Sequence, residues 1–343
     1  MIELNNDKLY FTFSGVHPEA QLSIDLQRTL RIPDDDETYP LPPGLGSFPL
    51  RHVDDFSERV PSRWLQRGGV ILPMYQSESM WLYFQSSYVD RRGQYPFAIK
   101  IAAGKVDAVS GELWSDGLLR DPQGYVVAPE QPWLDGYCVK KGVIRQFVAM
   151  PLGSGLSAEE QITGEAEYGG LQIEVFPMKR EVFESRFPEH EQEDMISYQA
   201  SSDFEMVMPC AAPEMGLAPG GKMKQEIVDD PYDFDDWDTE HGSRCFIHLA
   251  NSMIWRSVTG EEPPQVPPTA EEYSRSGLPW FDYYDDTVTA LSGSKALAGM
   301  KSVVAMGKEK GDVLLPENQS VTPETVLEIR RKMSPHQVRE GRF

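Results

Sequence analysis

The residues best placed to do chemistry lie in DDPYDFDDWDTEH, where Asp229, Asp230, Asp233, Asp235, Asp236, Asp238 and Glu240 crowd ahead of His241. Carboxylates at this density repel one another until water, a cation or a basic partner takes up the charge. Hard cations such as Ca²⁺ take roughly six to eight oxygens, and Asp233-x-Asp235 opens like an EF-hand loop. The pattern then departs. Trp237 stands at the fifth position, Asp238 where the turn needs Gly, and Arg244 where a bidentate Glu closes such a loop. What remains is an irregular divalent-cation site of Asp233, Asp235, Asp238 and His241, weighed against a solvated acidic loop, which is what most charge runs are.

A second candidate is Cys245 with His248, since Cys-x-x-His is a half-site spacing for zinc and a Cys beside a His is how thiol nucleophiles are activated. Strand geometry objects. Residues three apart on a regular strand point to opposite faces, so a buried thiol and a hydrogen-bonded core histidine are expected instead. The other two cysteines, Cys138 and Cys210, form no Cys-x-x-Cys pair with it, which argues against a disulfide framework and reads as reduced, buried thiols.

Aromatic residues beside carboxylates recur in GELWSDG, PWLDG and LPWFDYYDD, and glycoside hydrolysis uses two carboxyl groups with aromatic walls. Trp114, Trp133 and Trp280 are more simply packing anchors that fasten loops to a sheet. GLGSF and PLGSGL lack the spacing of phosphate-binding loops and read as turns. Neither a Gly-x-Ser-x-Gly elbow nor a His-Glu-x-x-His pair is present.

Charge bounds the partners. The 343-residue chain carries a net −22, and residues 181 to 290 hold 24 Asp+Glu against 6 Lys+Arg. Contact with nucleic-acid phosphates or anionic membrane surfaces is therefore disfavoured. Apolar runs fall far short of the roughly 20 residues that cross a bilayer, and the start shows no basic segment leading into an apolar one, so a cytoplasmic protein is expected. From Lys301 onward the sign reverses, with 8 Lys+Arg against 6 acids.

The elements that must position these residues are mostly strands. A hairpin is predicted over 8–32, followed by a proline-rich loop (33–50) and short helices between Asp54 and Gln66 closed by Gly68 and Gly69. Strands are predicted around Met80 to Phe84, Phe97 to Ala102, Lys105 to Val109, Val143 to Met150, Leu171 to Phe176, Met223 to Val228 and Arg244 to Ala250. Asp135-Gly136 reads as a tight hairpin and Pro219-Gly220-Gly221 as a turn. Helices are predicted after Ser157, with Glu160 completing its capping box; in MKREVFESRF; after Thr269, with Glu272; from Ser294 to Met300; and from Pro323 to about 333 behind Thr322 as N-cap. The sum is an α+β, β-rich fold of antiparallel sheets, sandwich-like or as two packed β lobes split near 180, with several short helices.

VPSRWLQRGGVILPMYQSESMWLYF, PWLDGYCVKKGVIRQFVAMPLGSG, TGEAEYGGLQIEV and APGGKMKQEIVDD together resemble an uncharacterised family of bacterial and fungal proteins with no assigned activity. The resemblance spans most of residues 40 to 300 and implies one folding unit there, with 1–39 (hairpin and acidic loop) and 301–343 (basic helix and tail) as appendages; it carries over no catalytic residue. The sequence reading is thus a non-catalytic interaction or assembly protein presenting an acidic face to a protein partner or another copy, without nucleic acid or membrane. The alternative is a metal-dependent, hydrolase-like enzyme using a divalent cation on the 229–241 loop.

Overall fold

Period-two alternation decides the architecture. Leu22, Ile24 and Leu26 of the strand Gln21–Thr29 are wholly buried and stand opposite Ser86, Phe84 and Leu82 of Ser79–Ser86, so one face of this pair is apolar and inward. The same holds for Ile99 and Ile101 of Phe97–Ala103, opposite Val175 and Ile173 of Leu171–Pro177. Each such side chain, fully buried, contributes about 1.5–3 kcal/mol.

The computed structural model describes residues 1–35, 37–189, 214–284, 289–311 and 319–330. Among these, a ten-stranded sheet runs Ile2–Asn5, Lys8–Thr12, Gln21–Thr29, Ser79–Ser86, Val143–Pro151, Met215–Lys224 and Thr38–Tyr39, with Gly44–Ser47, Trp133–Leu134 and Gly136–Lys140 paired alongside. A seven-stranded sheet runs Val106–Asp107, Phe97–Ala103, Leu171–Pro177, Ser243–Ala250, Val70–Pro73 and Arg51–His52, with Val126–Ala128 beside Phe97–Ala103. One continuous apolar core takes residues from both, including Phe11, Ile24 and Leu82 from the first and Phe97, Ile173 and Ile247 from the second. A smaller core beneath the helices Ser62–Arg67 and Ser252–Thr259 packs Trp64, Ile71, Ala250 and Trp255. The fold is a β-rich α+β arrangement with mainly antiparallel pairing and a few short helices.

Both sheets draw strands from either side of residue 180, and the first 29 residues supply three strands of the larger sheet. The predicted capping boxes hold: Ser157 with Glu160 starts the helix Ala158–Thr163, ended by Gly164, and Thr269 with Glu272 starts Ala270–Arg275. The helices Arg180–Arg186 and Lys295–Gly299 form where expected, whereas Val303–Lys310, capped by Ser302, has no counterpart in the sequence reading.

Four local expectations are corrected. Residues 323–330 do not start a helix: Val326–Arg330 is a strand lying parallel to Trp280–Tyr284, because the short Val-Leu-x-Ile run finds backbone partners there and has too narrow an apolar stripe to bury as a helix. Pro219-Gly220-Gly221 is no turn but the middle of Met215–Lys224. Its glycines allow close approach, since a Cβ at Gly220 would lie 2.5 Å from Val148 Cγ2 and one at Gly221 2.3 Å from the Pro33 carbonyl oxygen. The strand beginning near Met223 stops at Lys224, and Val228 makes only an isolated bridge to Ala290. Asp135-Gly136 does not turn a hairpin either; it joins Trp133–Leu134, paired with Ser79–Ser86, to Gly136–Lys140, paired with Val143–Pro151. The turn of that hairpin falls at Lys141-Gly142, where Gly142 has φ 72°.

Gly136 is required by packing alone, for a Cβ there would sit 1.9 Å from the Arg145 carbonyl oxygen. Gly136→Ala is expected to lower stability by about 1–3 kcal/mol or more in urea unfolding, while Gly15→Ala, with open space around it, serves as the unaffected control. Equal stability of the two variants is the contrary result.

Candidate functional site

The 229–241 segment leaves the first sheet, makes the 3₁₀ turn Phe234–Asp236 and enters the strand Ser243–Ala250 of the second. Its first carboxylate is not on the surface. Asp230 is buried, and its Oδ2 accepts from Arg120 Nη1 at 2.6 Å, the Tyr125 hydroxyl at 2.6 Å and Trp237 Nε1 at 2.9 Å, while Oδ1 accepts from the Tyr232 amide. The expectation that the whole acidic run fans outward is corrected here: Asp236 is buried as well. Asp233 and Asp236 cap the 3₁₀ turn reciprocally, and both pair with Arg186 at 2.8 and 2.6 Å. Asp238 accepts from the amides of Glu240 and His241 and meets His241 Nδ1 at 2.9 Å.

Of the expected cation ligands Asp233, Asp235, Asp238 and His241, the fold therefore brings together only Asp238 and His241. Asp235 is exposed and Asp233 is turned to Arg186. Among the described residues no three His, Cys, Asp or Glu side chains gather as metal ligands. The reason is local: Asp233, Asp236 and Asp238 are turned back onto the amides of their own turn, a use of short carboxylates that competes with convergence on an ion.

Cys245 and His248 lie on opposite faces of their strand. Cys245 is buried in the main core, with burial pushing its thiol up to about 12. His248 stacks on Trp64 at 4.8 Å and shares a hydrogen bond between Nε2 and the Gly68 carbonyl at 2.9 Å; burial pushes it down to about 4. A neutral imidazole donating to Gly68 satisfies both facts. Cys138 is a second buried thiol, also pushed up to about 12 by burial, and Cys210 lies outside the described residues.

The three tryptophans near carboxylates are packing anchors. Trp280 is buried between Tyr39 and Tyr273, and Trp133 meets Tyr283 edge-on at 4.7 Å. Trp114 is clasped between two cations, with Lys100 Nζ 4.5 Å and Arg244 Cζ 4.6 Å from its ring centroid.

That clasp exposes a cluster the sequence reading missed. Lys100, Glu174 and Arg244 occupy one cross-strand row on the outer face of the second sheet. Lys100 is only 2% exposed, and it donates to the carbonyls of Ser115 and Gly117, fastening the loop that carries Trp114. Burial lowers its pKa, and burial raises that of Glu174 against the pull of Lys100 and Arg244. Glu174 Oε2, Arg244 Nε and Trp114 Nε1 find no hydrogen-bond partner. The signal was a single charge in the middle of each apolar strand, Lys in FAIKIAA and Glu in LQIEVF. The cluster holds the Trp114 loop in place.

Two groups give direct tests of this charge arrangement. Asp230→Ala removes the acceptor of four donors and is expected to cost about 3–5 kcal/mol of unfolding free energy, with an Asp229→Ala control near neutral. Asp135 is buried, its Oδ2 has no partner among the described residues, and burial pushes its carboxyl from the ordinary 3.8 up to about 7. A raised carboxyl favours folding while it stays protonated, so this contribution is complete below pH about 4 and is lost as pH rises to about 7. Asp135→Asn is accordingly expected to gain on the order of 1–3 kcal/mol on the wild type between pH 4 and pH 8; a difference that stays constant with pH overturns the assignment. No family model, curated protein or solved structure matches the chain.

Proposed function

We propose that this chain is a non-catalytic interaction protein that offers the carboxylates of the 229–241 loop to a basic protein partner. One observation carries the reading. Of the seven carboxylates on this segment, Asp230 pairs with Arg120, Asp233 and Asp236 pair with Arg186 and Asp238 lies beside His241, whereas Asp229, Asp235 and Glu240 have no cation within ion-pair distance among the described residues. The neighbouring loop, tied in through Arg120, adds Asp116 and Asp121, both exposed.

The Asp230 hub fixes this loop to the body. A partner then meets charges already held in place, which lowers the ordering cost of association. Attraction between opposite patches speeds encounter and is screened by salt. A second copy supplies one such partner, because residues 331–343 carry four Lys+Arg against one Glu; that is the self-associating form of the same reading.

The test is fluorescence anisotropy with a lysine- and arginine-rich dodecapeptide as probe, together with sedimentation velocity of the protein alone, at about 20 and 300 mM salt. Affinity for the peptide is expected to fall by about tenfold or more at high salt, and to fall similarly at low salt in the Asp229→Asn, Asp235→Asn, Glu240→Gln variant. A sedimentation coefficient that drops with salt identifies the self-associating form. Peptide binding indifferent to both salt and the triple variant overturns the proposal.

A further inference from the structure

The outer face of the first sheet carries a groove of about 630 Å³, within the roughly 300–1,000 Å³ range of small-molecule sites. Its floor is set by register: Tyr10, Ser23 and Gln85 stand side by side on three adjacent strands. One wall is the two-residue ladder Tyr88–Val89 with Gly93–Gln94, which lifts Tyr88 to 68% exposure.

The lining is chemically uniform. Its side chains are tyrosines, glutamines and serines, none of them charged, in a chain of which 25% is Asp, Glu, Lys or Arg. A lining without charge gives an ionic ligand nothing to pair with. It offers instead two phenol rings and amide groups, each amide both donor and acceptor.

Part of this lining is already engaged, since Ser87 Oγ donates to the Glu19 carbonyl and Gln21 Nε2 to Thr12 Oγ1. Gln85 and Gln94 are exposed at the groove, next to Tyr88. Neutral polyhydroxylated rings fit this combination, since their C–H faces cover aromatic rings and their hydroxyls both give and accept hydrogen bonds.

We propose that the groove between Tyr10 and Tyr88 binds a neutral oligosaccharide. Among the described residues no carboxylate lines it, so the groove offers binding groups without the paired carboxyls of glycoside hydrolysis. The site is separate from the acidic loop, and its occupancy does not depend on the reading of that loop.

The experiment is isothermal titration of the full-length protein with cellohexaose, xylohexaose, maltohexaose and N-acetylchitohexaose, each at about 20 and 300 mM salt. At least one is expected to bind at one-to-one stoichiometry with the same affinity at both salts. Tyr88→Ala and Gln85→Ala, at exposed positions and with unchanged melting curves, are each expected to weaken it by about tenfold, while the triple acidic-loop variant leaves it intact. The proposal is overturned if none of the four binds, if binding survives both groove variants, or if a heparin hexasaccharide binds more tightly than every neutral one.

Discussion

The long strands of the two large sheets give one face to the shared apolar core, and this constraint sorts the chemistry of the chain. A residue on the inner face is spent on packing, as Cys245 and Cys138 are. Polar groups able to meet a ligand are left to the outer faces and the loops. The outer faces are themselves partly covered: helices Ser62–Arg67 and Ser252–Thr259 seal one end of the second sheet, and the loop carrying Trp114 covers another part of it through Lys100. Among the described residues, the acidic 229–241 loop and the neutral groove beside Tyr88 stay open, and the two differ in charge.

The acidic loop shows how proximity in sequence misleads about proximity in space. Seven carboxylates within thirteen residues look like a ligand set, yet short Asp side chains reach their own backbone first. Asp230 takes the Tyr232 amide in the same way and in addition meets an Arg, a Tyr and a Trp, which complete its hydrogen bonding in the interior. A buried carboxylate so fully satisfied is costly to break and fixes one conformation of the loop. Rigidity and charge thus come from the same stretch.

The alternation of Leu22, Ile24 and Leu26 and the two capping boxes were legible in the sequence because each is settled within a few residues. The opposite faces of Cys245 and His248 followed from strand geometry alone. Failures occurred where a distant segment decided the outcome. Gly220 and Gly221 look like a turn until Val148 and Pro33 press against them, and Asp135-Gly136 looks like a hairpin until each neighbour finds a different strand. The strand Val326–Arg330 needed Trp280–Tyr284 beside it. The Lys100–Glu174–Arg244 row and the Tyr10–Ser23–Gln85 row each join three strands, and no local pattern announces which residues will stand abreast.

Several closures join the beginning of the chain to its far end. Val70–Pro73 lies parallel to Ser243–Ala250, Arg28 donates to the Gln265 carbonyl, and Asp34 Oδ2 accepts from the Val304 amide, 270 residues away in sequence. During synthesis, therefore, the early strands leave the ribosome well before the partners that complete their sheets exist. Folding dominated by such non-local pairing is slow, and it leaves apolar strand edges uncovered in the interval. The nascent polypeptide must stay apart from its neighbours until translation has delivered its last strands, which makes chaperone supply and elongation rate part of what determines its yield.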